Sequence, residues 1–235
     1  MCSGSYRVHR ISLINVSCYL IYREDEAILV DCGTEGAEVR ILEEMKQIGL
    51  APGMLRLLIL THVHYDHAGA AAGLKSATGC RIMVHRTEKE RLRNGSSPIP
   101  GGTRWKARIV VALGRIFRPG IMQFTGAEPD ILVDRSLTLE PYGFRGEVLH
   151  TPGHTKGSLV VLMEGGELLC GDTLFGVEGK QHFPPFAEEL PSLLKSWEMI
   201  RSLPVRVIYP AHGKSFTHKE FMDEFSGAMK RYGSF

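Results

Sequence analysis

The chain has 235 residues, 43% of them hydrophobic and 23% charged, with a formal net charge of +2. This composition suits one large globular domain with a real core; it excludes a low-complexity chain, and the charge is too close to neutral to argue for a polyanionic partner such as nucleic acid. No apolar run has transmembrane length, the opening Met1 to Arg7 lacks the apolar core of a secretory signal, and the scattered cysteines Cys2, Cys18, Cys32, Cys80 and Cys170 form no CxxC pair, so a cytoplasmic protein without a disulfide framework is expected.

In chain order, Arg7 to Leu13, Ser17 to Tyr22 and Ala27 to Val30 read as strands, the last two joined by the polar turn Arg23-Glu24-Asp25-Glu26. Asp31-Cys32-Gly33-Thr34 ends the third strand. Glu35 to Ile48 carries Val39, Ile41, Leu42, Met45 and Ile48 at near-helical spacing, with Gly49 as its C-cap. Leu57-Leu58-Ile59-Leu60 has the look of a buried strand. Ala68 to Ala77 reads as a helix, Arg81 to His85 as a short strand, and Thr87 as the N-cap of the helix that follows. Segment 94–127 stands apart. After a Gly/Ser/Pro loop, Arg104 to Phe117 sets Trp105, Ile109, Val110, Val111, Leu113, Ile116 and Phe117 among basic residues only. Such a basic amphipathic stretch fits a lid over a site, a membrane-surface contact, or a helix docked on the core with a solvated edge. Asp134 to Leu139 and Gly146 to His150 read as strands. A hairpin, Ser158 to Met163 and Leu168 to Cys170, leads to Asp172 just as the earlier hairpin leads to Asp31. Leu190 to Leu203 and Lys219 to Arg231 are amphipathic helices flanking a strand, Val205 to Tyr209. No linker interrupts the chain, so residues 1–235 are expected to form one domain with an insertion at about 94–127.

The chemistry concentrates in Thr61-His62-Val63-His64-Tyr65-Asp66-His67-Ala68-Gly69, directly after the buried strand. Three histidines and an aspartate within six residues, delivered to a sheet end, are ligand types for zinc and other first-row metals. Two exposed histidines would be unremarkable surface residues; this cluster is too dense for that reading. His85 and His150 are read instead as strand-end histidines, and the cysteines as small buried apolar residues.

The HxHxDH run His62, His64, Asp66, His67 resembles the signature of the metallo-β-lactamase superfamily. Thr151-Pro152-Gly153-His154-Thr155, Cys170-Gly171-Asp172-Thr173-Leu174-Phe175 and Tyr209-Pro210-Ala211-His212-Gly213 resemble its later motifs, in order. The resemblance implies an α/β fold, a four-layer αββα sandwich of two mixed β-sheets flanked by helices. It also implies two divalent metal ions, zinc first, with iron or manganese as alternatives. His62, His64 and His154 would hold one ion, Asp66, His67 and His212 the other, and Asp172 would bridge them. Asp31 would sit behind the ligands, hydrogen-bonded to the motif loop. The implied reaction is hydrolysis of a thioester, ester or lactone by a metal-bridging hydroxide, with Asp66 and Asp172 as catalytic residues, on a small-molecule acyl substrate.

Within the superfamily, Gly171-Asp172-Thr173-Leu174-Phe175 is similar to hydroxyacylglutathione hydrolases. In these a Gly-Lys-aromatic segment helps bind the thiol portion; Gly179-Lys180 and His182 fall near that place, which makes Lys180 and His182 substrate-binding candidates. Only 23 residues follow His212, short of the helical glutathione-binding domain of the full-length enzymes. A mononuclear-iron persulfide dioxygenase is the alternative, although its usual His-Asp-Tyr is replaced by His212-Gly213-Lys214. A nuclease of the superfamily ranks lower, because the only basic stretch is too apolar for an RNA-gripping arm. No membrane span is expected, and homo-oligomerisation is left open.

Overall fold

The computed structural model describes residues 5–97, 101–103, 123–177 and 182–232. The basic segment at Arg104 to Phe117, and Lys180, lie outside them.

Six strands form the first sheet in sequential order: β1 (Arg7–Ser12), β2 (Ser17–Tyr22), β3 (Ala27–Val30), β4 (Leu55–Ile59), β5 (Arg81–His85) and β6 (Ile131–Val133). The first three pair antiparallel and the rest parallel, so the sheet is mixed. The second sheet runs β12 (Phe216–Thr217), β11 (Val207–Pro210), β10 (Glu167–Gly171), β9 (Leu159–Met163), β8 (Gly146–His150) and β7 (Ser136–Thr138), with only β10 and β11 parallel.

The period-2 alternation of strands sorts their side chains into three cores. Tyr19, Ile21, Ile28, Val30, Leu57 and Ile59 of the first sheet meet Val148, Leu159, Val161 and Leu169 of the second in the central layer. The opposite faces, with Leu20, Leu29 and Leu58 on one sheet and Val160, Leu168 and Cys170 on the other, are covered by helices. On the first side these are α1 (Ala37–Gln47), through Ile41 and Met45, and α3 (Ala71–Thr78), through Ala71 and Leu74. On the second they are α5 (Leu190–Ser202), through Leu193, Trp197 and Ile200, and α6 (His218–Tyr232), through Phe221 and Phe225. Each such fully buried side chain contributes about 1.5–3 kcal/mol against exposure. The result is the four-layer αββα sandwich. One slip matters for register: between Ala27 and Ile28 the pairing with β4 shifts, so Leu55 faces the outer core and Leu57 the inner one although they are two residues apart.

Boundaries differ from the sequence expectation where local chemistry intervenes. The helix expected from Ala68 breaks at Gly69-Ala70 into α2 (Tyr65–Ala68) and α3, so Tyr65, Asp66 and His67 already lie on a helical turn. Thr87 does not cap the next helix; a 3-10 turn, Arg86–Glu88, precedes α4 (Lys89–Asn94), and the His85 ring accepts from the backbone N–H of Thr87 instead. The short edge strands β6 and β12, with few residues to show a period, were not apparent from pattern.

No helix among the described residues is long and apolar enough to cross a membrane.

Candidate metal centre

The C-terminal ends of β3, β4, β10 and β11 gather at one edge of the sandwich, the place where open α/β sheets build sites. β3 delivers Asp31; β4 delivers Thr61 to His67; β10 delivers Asp172; β11 delivers His212. The turn after β8 adds His154. Two groups result: His62, His64, His154 and Asp172, and beside them Asp66, His67 and His212. All the residues expected as ligands are therefore brought together.

The protons on these rings are assigned by what stands behind them. Nδ1 of His67 donates to Oδ2 of Asp31 at 2.9 Å, Nδ1 of His154 to the carbonyl of Phe186 at 2.9 Å, and Nδ1 of His212 to the carbonyl of Asn15 at 2.6 Å. Nδ1 of His62 lies 3.1 Å from Thr61 Oγ1, which itself donates to Asp31. With Nδ1 occupied, each of these four rings turns its Nε2 inward. His64 presents Nδ1 instead, 2.9 Å from His62 Nε2 and 3.2 Å from His154 Nε2. Asp172 Oδ1 stands 3.3 Å from Nε2 of both His67 and His212, and its Oδ2 stands 3.5 Å from His154 Nε2. Asp66 faces His212 Nε2 at 3.6 Å from the more open side.

Close approach of acceptor lone pairs is repulsive unless a proton or a metal ion lies between them. The buried atoms His67 Nε2 and Asp172 Oδ1 have no hydrogen-bond partner in the protein, which costs about 1–3 kcal/mol each if nothing else satisfies them. A set of imidazole nitrogens and carboxylate oxygens with these orphaned atoms fits divalent metal ions.

Electrostatics separate the two groups. Burial, reinforced by the neighbouring rings, pushes His62 and His64 well below the ordinary imidazole range. Burial lowers His154 as well, against the pull of Asp172. Burial also opposes charge on His67, but Asp172, Asp31 and Asp66 outweigh it and raise that ring well above its ordinary value. Burial would lift the Asp172 carboxyl; His212 and His67 overcome it and hold the group far below the usual carboxylate range. The three-histidine half thus keeps neutral rings, and Asp172, between the two groups, stays an anion. Burial pushes the Cys18, Cys32 and Cys170 thiols far up, so none supplies a thiolate.

Thr61 is wedged between the two sheets. Its backbone N–H and hydroxyl both donate to Asp31, and its side chain rests on Gly171, where φ is +50° and a Cβ would lie 2.3 Å from Thr61 Oγ1. Glycine there lets the turn bearing Asp172 close on the loop bearing His62. Behind that turn, Trp197 of α5 donates to the carbonyl of Thr173 at 2.9 Å.

Residues 12–212 match the sequence model of the metallo-beta-lactamase superfamily. This chain belongs to that superfamily. Among its relatives, the probable metallo-hydrolase MJ0888 of Methanocaldococcus jannaschii is 28% identical over 80% of this chain and 82% of its own length. The hydroxyacylglutathione hydrolase GloC of Haemophilus influenzae is 29% identical over 74% of each chain. The crystal structure of the B3 metallo-beta-lactamase BLEG-1 superposes with a TM-score of 0.68, covering 93% of this chain and 97% of the other at 26% identity. This metallo-beta-lactamase superfamily member therefore combines the family fold with a His/Asp cluster suited to divalent metal ions.

Other expected residues have partners of their own. His85 bonds Thr87 Oγ1 and the carbonyl of Asp134, and stacks on His150 at 3.9 Å. His150 bonds the carbonyl of Lys156. His182 donates from Nδ1 to the carbonyl of Phe175 and stacks on Phe216 at 3.7 Å. Sequence reasoning missed Asn15 and Phe186, which act through backbone carbonyls that carry no residue-type signal. It also missed Phe175 as the ring stacked on His212 at 5.1 Å, although Phe175 lay inside a quoted motif.

Proposed function

We propose that this protein is a dinuclear metal-dependent hydrolase acting on a small acyl substrate: a thioester, an ester or a lactone. The observation that carries the reading is the inward ring-nitrogen set around Asp172, with every Nδ1 proton of His62, His67, His154 and His212 engaged outside the site. His62, His64 and His154 would hold one ion and Asp66, His67 and His212 the other, with Asp172 facing both groups. Zinc is the first candidate, iron and manganese the others, since this donor set does not separate them.

Bound there, a pair of divalent ions supplies Lewis-acid polarisation of a carbonyl and a water made acidic enough to ionise near neutral pH. The protein's own groups do the rest. Asp172, anionic and enclosed by imidazoles, keeps the two halves at a fixed separation. Asp66 has its carboxylate at the open side and is placed to orient the attacking water and accept its proton. Phe175, itself buried, stacks on the His212 ring and holds its plane. Support for the thioester class comes from the similarity to GloC and from the Gly171 to Phe175 run.

The test is a panel of acyl-thioesters, aryl esters and lactones assayed with metal-loaded and metal-stripped protein. Metal-dependent turnover of at least one class is expected. Absence of turnover across the panel with both positions filled would overturn the proposal.

A further inference from the structure

The turn that carries His154 is gripped from two sides by carboxylates that share one guanidinium. Glu88, at the end of the 3-10 turn before α4, is only 1% exposed. Its Oε1 accepts from the backbone N–H of Gly157 at 3.2 Å. The approach is so close that a Cβ on Gly157 would lie 2.4 Å from Glu88 Cγ. On the other side, the backbone N–H of Glu188 donates to the carbonyls of Gly153 and His154 at 3.0 Å. The Glu188 carboxylate accepts from the Lys156 N–H at 3.0 Å. Arg91 of α4 joins the two: Nη1 lies 3.2 Å from both Glu88 oxygens and Nη2 lies 2.8 Å from Glu188 Oε1.

A second tie reaches the same histidine. Thr103 donates from its backbone N–H to the carbonyl of Pro185 and from its hydroxyl to the carbonyl of Pro184, each at 2.9 Å. Ala187 N–H donates to the carbonyl of Gly101 at 2.9 Å. This short ladder holds Phe186, whose carbonyl takes the Nδ1 proton of His154. The helix that leads into segment 94–127 and residues 101–103 within it therefore close on one metal-ligand candidate by two routes: α4 through Arg91, and residues 101–103 through Phe186.

Stability alone is a poor reason for this arrangement. Enclosing charges costs about as much as their pairing returns, so a largely buried triad of this kind is close to neutral for folding. What it does supply is fixed geometry. A bifurcated contact from Nη1 to one carboxylate and a shorter bond from Nη2 to another hold the guanidinium between them, and through it the spacing of the two loops.

We infer that Arg91 is a positioning residue for the three-histidine group: by bridging Glu88 and Glu188 it fixes the turn 153–157 and hence His154, so that α4 belongs to the outer shell of the metal centre. This rests on the reading that His62, His64 and His154 hold a metal ion, and outer-shell partners of that kind change metal affinity roughly 10–100-fold when removed.

The experiment uses the full chain as wild type, Arg91→Met, Arg91→Lys and Arg93→Met. Arg93 is the control, since it lies on the same helix and pairs with Glu90 and Glu128 instead. Zinc binding is measured by chelator competition, and amide hydrogen exchange is followed on the metal-free proteins. Arg91→Met is expected to weaken one of two zinc equivalents roughly 10–100-fold and to speed exchange at residues 153–157 while the strands keep wild-type rates. Arg91→Lys, which keeps the charge but cannot span both carboxylates, should resemble Arg91→Met; Arg93→Met should resemble wild type. Arg91→Met that binds both ions as tightly as wild type, or loses both equally, overturns the inference, as does full recovery in Arg91→Lys. Failure of the underlying site reading shows differently, as a wild-type chain that takes up no zinc, and it removes both conclusions.

Discussion

Oδ2 of Asp31 sits 2.9 Å from Nδ1 of His67, on a residue held in left-handed backbone at φ 61°. Its two oxygens accept from His67, from the Thr61 amide and from the Thr61 hydroxyl, so every contact demands an acceptor. Asp31→Asn keeps the shape and tolerates the left-handed backbone, but it must point an NH2 at one of these donors. Metal affinity should fall roughly 10–100-fold with the fold intact. Chelator competition with circular dichroism on the same sample checks this; unchanged affinity would show that the carboxylate does not orient His67.

Removing the metal should cost stability as well as activity, because ligand binding to the native state alone adds RT ln(1 + [L]/Kd), about 2.7 kcal/mol at a hundredfold excess over Kd. For a chain of this length that corresponds to about 5–10 °C in Tm. Scanning calorimetry of loaded, stripped and reloaded protein measures it. Elemental analysis of the same samples counts the ions: about two per chain supports the dinuclear reading, and a single iron would redirect the assays to oxygen uptake with a persulfide.

His154→Ala and His85→Ala should separate cleanly although both rings are buried. The first removes an inward Nε2 and should abolish metal-dependent turnover, by more than about a hundredfold if the ion contributes several kcal/mol to the transition state. The second removes a ring bonded to Thr87 and Asp134 and stacked on His150, so its cost should appear in the unfolding midpoint with kcat largely retained.

Ile14 is 87% exposed in the turn between β1 and β2, one residue before the carbonyl that receives the His212 proton. An apolar side chain beside an open site should contact the apolar part of an acyl substrate. Ile14→Ser is expected to lower kcat/KM about tenfold on long acyl chains and little on acetyl substrates, within the usual range for one apolar contact. Equal loss on both would mean that the residue acts through the turn alone.

A pH effect is expected far from the site. The Tyr6 hydroxyl donates to Glu167 Oε2, and burial, then that carboxylate, push its pKa up to about 12. Between the unfolded value of about 10 and this one, the unfolded chain loses a proton that the native chain keeps. Stability from this group is complete below the lower value and disappears as pH rises through the window. Urea midpoints at pH 9 and pH 11.5 should therefore draw closer together in Tyr6→Phe than in wild type.

Much of this was legible before any coordinates. The ligands announced themselves because HxHxDH is dense and follows the apolar run Leu57 to Leu60, and β2 and β3 matched their expected bounds because burial on both faces leaves a continuous apolar run. The layer behind the ligands was not legible. Glu88 and Arg91 read as ordinary helix charges, and nothing local says that Glu88 is buried beneath the His154 turn. Asn15 and Phe186 contribute only carbonyls, which every residue has. The break at Gly69 was hidden by the alanines on either side of it.

The bond between Asn15 and His212 joins positions 197 residues apart. Contacts that distant in sequence are slow to find, because loop closure must be met before they form. During synthesis the cluster at His62 to His67 leaves the ribosome long before His154, Asp172 and His212 exist to face it, so the centre cannot take its final shape until the chain has been made past β11. An ion held by all of these residues would therefore be captured late, as a fastener on a sandwich whose two halves have already met.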